Sequence, residues 1–176
     1  MKRNVPIIIG IIALCAVLYV GSGVMNKRQA MTDDELNTAS STVTVTGKVT
    51  RVFEGENTLE YSFAIPETAT TTVEKEGSLI KVTDEGMPVL AMYISYEGGR
   101  GYSPADYITN VIVPNVPSAS VKATTTIGLN DFSVVESAWS VWHVASVANG
   151  QWLLVIENKK ADAEKADAVI ETVTAQ

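Results

Sequence analysis

One histidine, His143, stands in a run that also holds all three tryptophans, SAWSVWHVASVANGQWLLVIEN at residues 137–158. An imidazole is the ordinary side chain for proton transfer near neutral pH. Held by an acid and facing a serine, it can drive acyl transfer. Ser140 and Ser146 flank it along the chain. In an extended strand, residues an odd number of positions apart point to opposite faces. Neither serine then faces His143, and no G-x-S-x-G elbow occurs. An envelope hydrolase using His143 with a carboxylate therefore stands only as an alternative. The 20 Asp and Glu offer acid pairs everywhere, so paired-carboxylate glycoside chemistry has no specific signal.

The second chemical candidate is the loop EGGRGYS at 97–103, because glycines there precede a helix start. Backbone amides at such a start can receive an anion. The G-K-[ST] of a phosphate loop is absent. Arg100, Tyr102 and the amides of Ser103 to Ala105 are the groups suited to a small anion or a partner's carboxylate. Metal chemistry is not expected. Zinc needs several Cys or His ligands, and the chain has one of each, with Cys15 in an apolar run. DDE at 33–35 and TDEG at 83–86 lack the alternating acids of a calcium loop. No cofactor motif is present.

The elements that must carry these residues read mainly as strands. Asn149-Gly150 is a strong hairpin signal, since a type I′ turn needs positive φ at both central positions. With those two in the turn, the numbers of facing residues sum to 299, so His143 faces Ile156 and Val147 faces Trp152. One face then holds Trp139, Val141, His143, Ala145, Val147, Trp152, Leu154 and Ile156, which is a core pattern. The other holds Ser140, Trp142, Val144, Ser146, Gln151, Leu153, Val155 and Glu157. That face is mixed, half covered by a helix or loop, and it makes Trp142 the exposed contact. Arg100, Tyr102 and Trp142 are thus the expected partner-binding residues.

TVTVTGKVTRVF at 42–53 alternates strictly and predicts a strand, with Gly47 at a bulge or bend. TLEYSFAIP at 58–66 predicts a second, with Leu59, Tyr61, Phe63 and Ile65 on one face. Short strands follow at 71–73 and 79–82, and a central one at 89–98. Ser103, Pro104 and Asp106 open a helix that buries Tyr107, Ile108 and Val111 and stops at Pro114 and Pro117. Strands near 121–127 and 131–136 lead into the hairpin. An amphipathic helix from about Ala161, carrying Ala163, Ala166, Ile170 and Val173, is expected as the last element.

The first residues differ in kind. Val5 to Met25 carries no charge, and its 21 residues match the length of a membrane-spanning helix. Lys2, Arg3, Lys27 and Arg28 flank it. A signal anchor at 1–26, marked by Val5, Ile12, Val20 and Met25, is expected to contact the lipid bilayer through residues 5–25. A polar tether at 27–42 and an extracytoplasmic domain at 43–176 would follow. Cys15 follows Leu14, where a lipobox wants a small residue, so it reads as a plain apolar cysteine. Cleavage near Ser22 or Gly23 would instead release a secreted small-ligand binder. From Gln29 on, nine basic residues meet twenty acids, so this part carries 9 − 20 = −11. Such a body does not seek nucleic acid.

The order YSFAIP, then MYISYEGGRGYSPADYITNVIVP, then the tryptophan hairpin with its GQWL, then a closing helix, resembles PsbP-like domains over about 58–173. The resemblance implies an α+β fold: a single antiparallel β-sheet with packed helices, a PsbP-like α/β/α sandwich, here preceded by one transmembrane helix. It implies accessory or assembly work on membrane complexes rather than catalysis. No cofactor residue carries over, and a photosystem role is not implied. The expectation is a membrane-anchored, single-pass, non-catalytic binding or assembly domain of the cell envelope, with an envelope protein as partner.

Overall fold

The computed structural model describes residues 41–52, 54–98 and 101–176. The apolar run 5–25 and the tether up to residue 40 lie outside them, as does Arg100. Among the described residues no helix is long and apolar enough to cross a membrane, so the transmembrane expectation finds no support in the described structure.

The protein is mainly β. A three-stranded sheet has the order β1-β2-β10, with β1 at Thr42–Val52, β2 at Glu56–Pro66 and β10 at Thr174–Ala175. A seven-stranded sheet has the order β3-β4-β5-β9-β8-β7-β6. Its strands are β3 (Ala69–Glu74), β4 (Leu79–Asp84), β5 (Met87–Tyr96), β6 (Ser120–Ile127), β7 (Asn130–Glu136), β8 (Ser140–Val147) and β9 (Trp152–Lys159). Every pairing is antiparallel. Among the described residues, apart from short 3-10 turns such as Lys75–Gly77, helix is confined to two stretches. One runs through α1 (Pro104–Tyr107), a π turn (Ile108–Ile112) and α2 (Val113–Asn115); the other is α3 (Ala163–Ile170).

The expected single-sheet α+β sandwich is therefore corrected to two sheets with little helix. The physical reason lies in β2. From Leu59 to Ile65 buried residues alternate with exposed or half-buried ones, so it has one apolar face. An apolar face is buried by stacking, not by adding a strand at an edge. Leu59, Tyr61, Phe63 and Ile65 meet Ile80, Met92, Leu154 and Ile156 of the large sheet in one core, which α3 closes with Ala166, Val169 and Ile170. Gly47 makes no bulge: β1 and β2 pair without a break from Thr42↔Pro66 to Val52↔Glu56. Gly47 instead leaves room for the ring of Tyr61 opposite, which any Cβ there would strike.

The other face of the large sheet has its own core. Tyr107, Ile108, Val111 and Ile112 pack on Val135, Trp142, Val144, Leu153 and Val155. The start of this helical stretch follows its sequence. Ser103 Oγ accepts the Asp106 N–H at 3.2 Å and donates to Asp106 Oδ2 at 2.6 Å, with Pro104 in the first turn. Covered on both sides, β9 is buried from Trp152 through Asn158. The α3 helix is not the last element, because the chain continues into β10 on β2.

One ion pair fastens α3 across the first core. Lys165 Nζ lies 2.6 Å from Asp84 Oδ2, and Thr68 Oγ1 donates to Asp84 Oδ1 at 2.8 Å. The Asp84 side chain is 9% exposed and that of Lys165 57%. The hydrogen bond from Lys165 and then that from Thr68 hold the Asp84 carboxyl below its usual range. Asp84→Ala should cost about 1–3 kcal/mol of unfolding free energy, as expected for hydrogen bonds to a charged group. Lys165→Ala, whose ammonium can reach water, should cost less. Urea denaturation of both variants checks this, and two negligible losses would show that the pair fastens nothing.

Candidate functional site

The hairpin that carries His143 has the register read from its turn. Ser140↔Lys159, His143↔Ile156 and Val147↔Trp152 are all paired. Asn149 and Gly150 have φ of 57° and 82°, and Gln151 N–H returns to the Ala148 carbonyl at 3.2 Å. The two tryptophans before the turn are corrected. Trp139, expected in the core, is 79% exposed, because β8 begins only at Ser140. It sits in a turn where Ser137 Oγ accepts the N–H groups of Trp139 and Ser140. Trp142, expected as an exposed partner contact, is 5% exposed under the helical stretch. The mixed face was read correctly, but its cover is complete over Trp142.

His143 faces the first core. It is 5% exposed, with the Phe132 ring edge-on at 5.8 Å and its Nδ1 without a hydrogen-bond partner among the described residues. Burial pushes its pKa down, against a smaller upward pull from Asp167 of α3, which is exposed. This is a neutral imidazole under a helix, not one held by an acid beside a nucleophile. Asn158, on the same face, also has a buried oxygen without a partner among the described residues.

Glu157 lies on the opposite face, paired with Trp142 of β8 and Ala91 of β5. It is 2% exposed, and its Oε2 has no partner among the described residues. Burial pushes its carboxyl up to about 7, with side-chain hydrogen bonding from Ser140 and Trp142 pulling the other way. Sequence placed Glu157 on the mixed face but had no signal that this end of the face closes.

An open cleft of about 300 Å3 lies where the end of β1 meets the end of β5. Arg51 comes from β1, and Tyr93, Ser95, Tyr96, Glu97 and Gly98 come from β5 and the loop after it. Arg51 Nη1 donates to the Thr50 carbonyl at 3.2 Å and lies 3.4 Å from the exposed Glu76. The Tyr93 phenol is pushed up by burial, pulled down by the Ser95 hydroxyl, pushed up by Glu97 and pulled down by Arg51. Phenol, guanidinium and carboxylate therefore act on one another. Glu97 Oε2 accepts the Tyr102 N–H at 3.1 Å, which ties the glycine-rich loop to the cleft. Tyr102 itself is half-buried, with its ring edge-on to Tyr107 at 6.1 Å.

Of the three expected partner residues, the structure thus puts Tyr102 beside the cleft and Trp142 inside a core, and it does not describe Arg100. No group of three or more His, Cys, Asp or Glu able to hold a metal occurs among the described residues. Arg51 was missed because the β5 side of the cleft, Tyr93 to Gly98, lies over 40 positions away and only the tertiary fold joins the two.

No family model matches the chain, and no curated protein matches it. A crystal structure from Bacteroides thetaiotaomicron is similar at 18% identity and a TM-score of 0.42. The similarity covers 66% of this chain and 45% of that one, so the chain spans less than half of that protein's length.

The state of His143 makes a pH prediction. Its folded pKa lies below the unfolded value of about 6.5. The unfolded chain then binds more protons below that pH, so this residue's contribution is whole above about 6.5 and is lost as pH falls. The stability difference between wild type and His143→Gln should move against the wild type as pH drops from 7 to 5. Denaturant curves at several pH values measure it, and a pH-independent difference would contradict a buried neutral imidazole.

Proposed function

We propose that this is a non-catalytic binding domain of the cell envelope, working outside the cytoplasm, with the apolar run 5–25 as its export or attachment signal. The observation that carries the binding reading is the cleft at Arg51, Tyr93 and Glu97. It is concave, it lies at the junction of two rigid sheets, and it gathers several polar groups of different type. That combination is what small-ligand and peptide sites have in common. Arg51 and Glu97 both line the cleft, and Glu76 lies 3.4 Å from the guanidinium, so the cleft has no net positive charge to offer a polyanion. The acidic body repels one as well. A neutral polar ligand or a zwitterionic one, such as the end of a peptide, suits both groups.

The hydrolase alternative has no observation in its favour. The only imidazole is buried in a core, and the cleft holds neither it nor a cysteine.

A photo-crosslinking residue in place of Tyr96, in the full chain in intact cells, tests the reading. A discrete adduct should form, and Arg51→Ala should reduce it roughly tenfold or more, the size of a lost charge-assisted hydrogen bond. An adduct indifferent to Arg51→Ala, or none, would sink the proposal.

A further inference from the structure

The binding reading makes no use of Glu157, yet it is the most confined acid described. A carboxyl with nine-tenths of its surface removed from water needs a cation or a full set of donors to stay ionised. Glu157 has neither. No ion pair forms with it among the described residues. Its Oε2 is unpartnered there, and the groups acting on it are the Ser140 hydroxyl and the Trp142 indole.

The neighbours from each packed element are uncharged or distant in effect. From β8 come Ser140 and Trp142. From β5 come Ala91 opposite and, two positions on, Tyr93, whose phenol titrates far higher. From β9 itself comes Lys159, half-buried two residues on, which makes no ion pair with Glu157 among the described residues. The helical stretch contributes Tyr107, Ile108, Val111 and Ile112 to this face and no acid or base to its packed side. His143, although next to Trp142 in the chain, points to the other face of β8.

We propose that Glu157, Trp142 and Ser140 form a proton-binding site that couples external acidity to closure of the outer face, the face of the large sheet that the helical stretch covers. The face closes with a proton on Glu157, and it loosens when that proton leaves to water. The coupling rests on a shared residue. Trp142 is both the neighbour of Glu157 across the strands and the floor on which Tyr107, Ile108, Val111 and Ile112 sit. An ionised Glu157, 2% exposed, must recruit water, and its neighbour Trp142 is buried under this cover, so hydrating the carboxylate disturbs the packing there. The carboxyl, raised to about 7, would lose its proton within the ordinary range of an extracytoplasmic compartment. The sign is fixed by linkage: the folded state keeps the proton to a higher pH than the unfolded chain, so closure weakens between about 4.5 and 7.

The test is made on the full chain, labelled with 15N and 13C. The Trp142 indole N–H resonance, assigned through Trp142→Phe, should shift with a midpoint within about one unit of 7. The shift should vanish in Glu157→Gln and persist in His143→Gln. At pH 8 the amides of Val111 and Ile112 should exchange at least tenfold faster than in Glu157→Gln, after correction for intrinsic rates. An indole that does not titrate between pH 5.5 and 8.5, a titration that survives Glu157→Gln, or equal exchange protection would overturn the proposal. If Glu157→Gln does not fold, the side-chain carboxyl carbon of Glu157 in the wild type decides by its own midpoint. A value below 5.5 would overturn the proposal equally.

Discussion

The register of the β8–β9 hairpin is the constraint on which the rest depends. A strand has a side-chain period of two, so a slip of one residue would exchange the two faces. Here both faces are buried, and they are buried differently. One must receive Ile156, Leu154 and Trp152 into the core shared with β2 and α3, while the other must receive Leu153, Val155 and Trp142 under the helical stretch. The Asn149-Gly150 turn sets this choice locally, through its own backbone geometry. Once it is set, β5 pairs on one side of β9 and β7 on the far side of β8, and both cores acquire their floors.

From that frame the two layers follow unequally. The helical stretch is close in sequence to β5 and is opened by its own cap at Ser103, so local chemistry brings it to the outer face. The three-stranded sheet is not local. Its β10 comes from the far end of the chain, pairing Thr174 with Ser62 and Ala175 with Tyr61. It is held by stacking of apolar faces and by few polar links, among them Thr172 Oγ1 accepting the Ala64 N–H at 2.8 Å. The cleft forms where these local and non-local layers meet.

Most strands were legible in the sequence, since their alternation and turns are local properties. The hairpin register was legible for the same reason, and so was the burial of Tyr107, Ile108 and Val111. The division into two sheets was not. Alternation in β2 says that one face is apolar, but not whether that face lies beside or above other strands. The same blindness misplaced the tryptophans. Face assignment put Trp142 opposite the core correctly, yet exposure depends on what lands on that face from residues 104–115. For Trp139 the error was one residue of strand length, because Ser137 captures two backbone N–H groups and ends the turn at Ser140. The cleft was legible only in part: its loop residues, Glu97 and Gly98, lie within the glycine-rich stretch, whereas Arg51 reaches it through the tertiary fold.

The hairpin also places two titratable groups back to back, and their effects on stability oppose each other. His143 penalises the folded state as pH falls below about 6.5, because its burial favours the neutral ring. Glu157 penalises it as pH rises from about 4.5 to about 7, because its burial favours the neutral acid. The two act with opposite slopes where their ranges overlap, so each offsets part of the other's effect on total stability. The faces are separate, however, and the groups do not share partners. A change of pH therefore acts on the two cores in opposite directions: acid conditions favour the packing around a protonated Glu157 and penalise that around His143. Sensitivity of one face need not endanger the fold, which is the physical requirement for a domain that responds to its surroundings and stays folded.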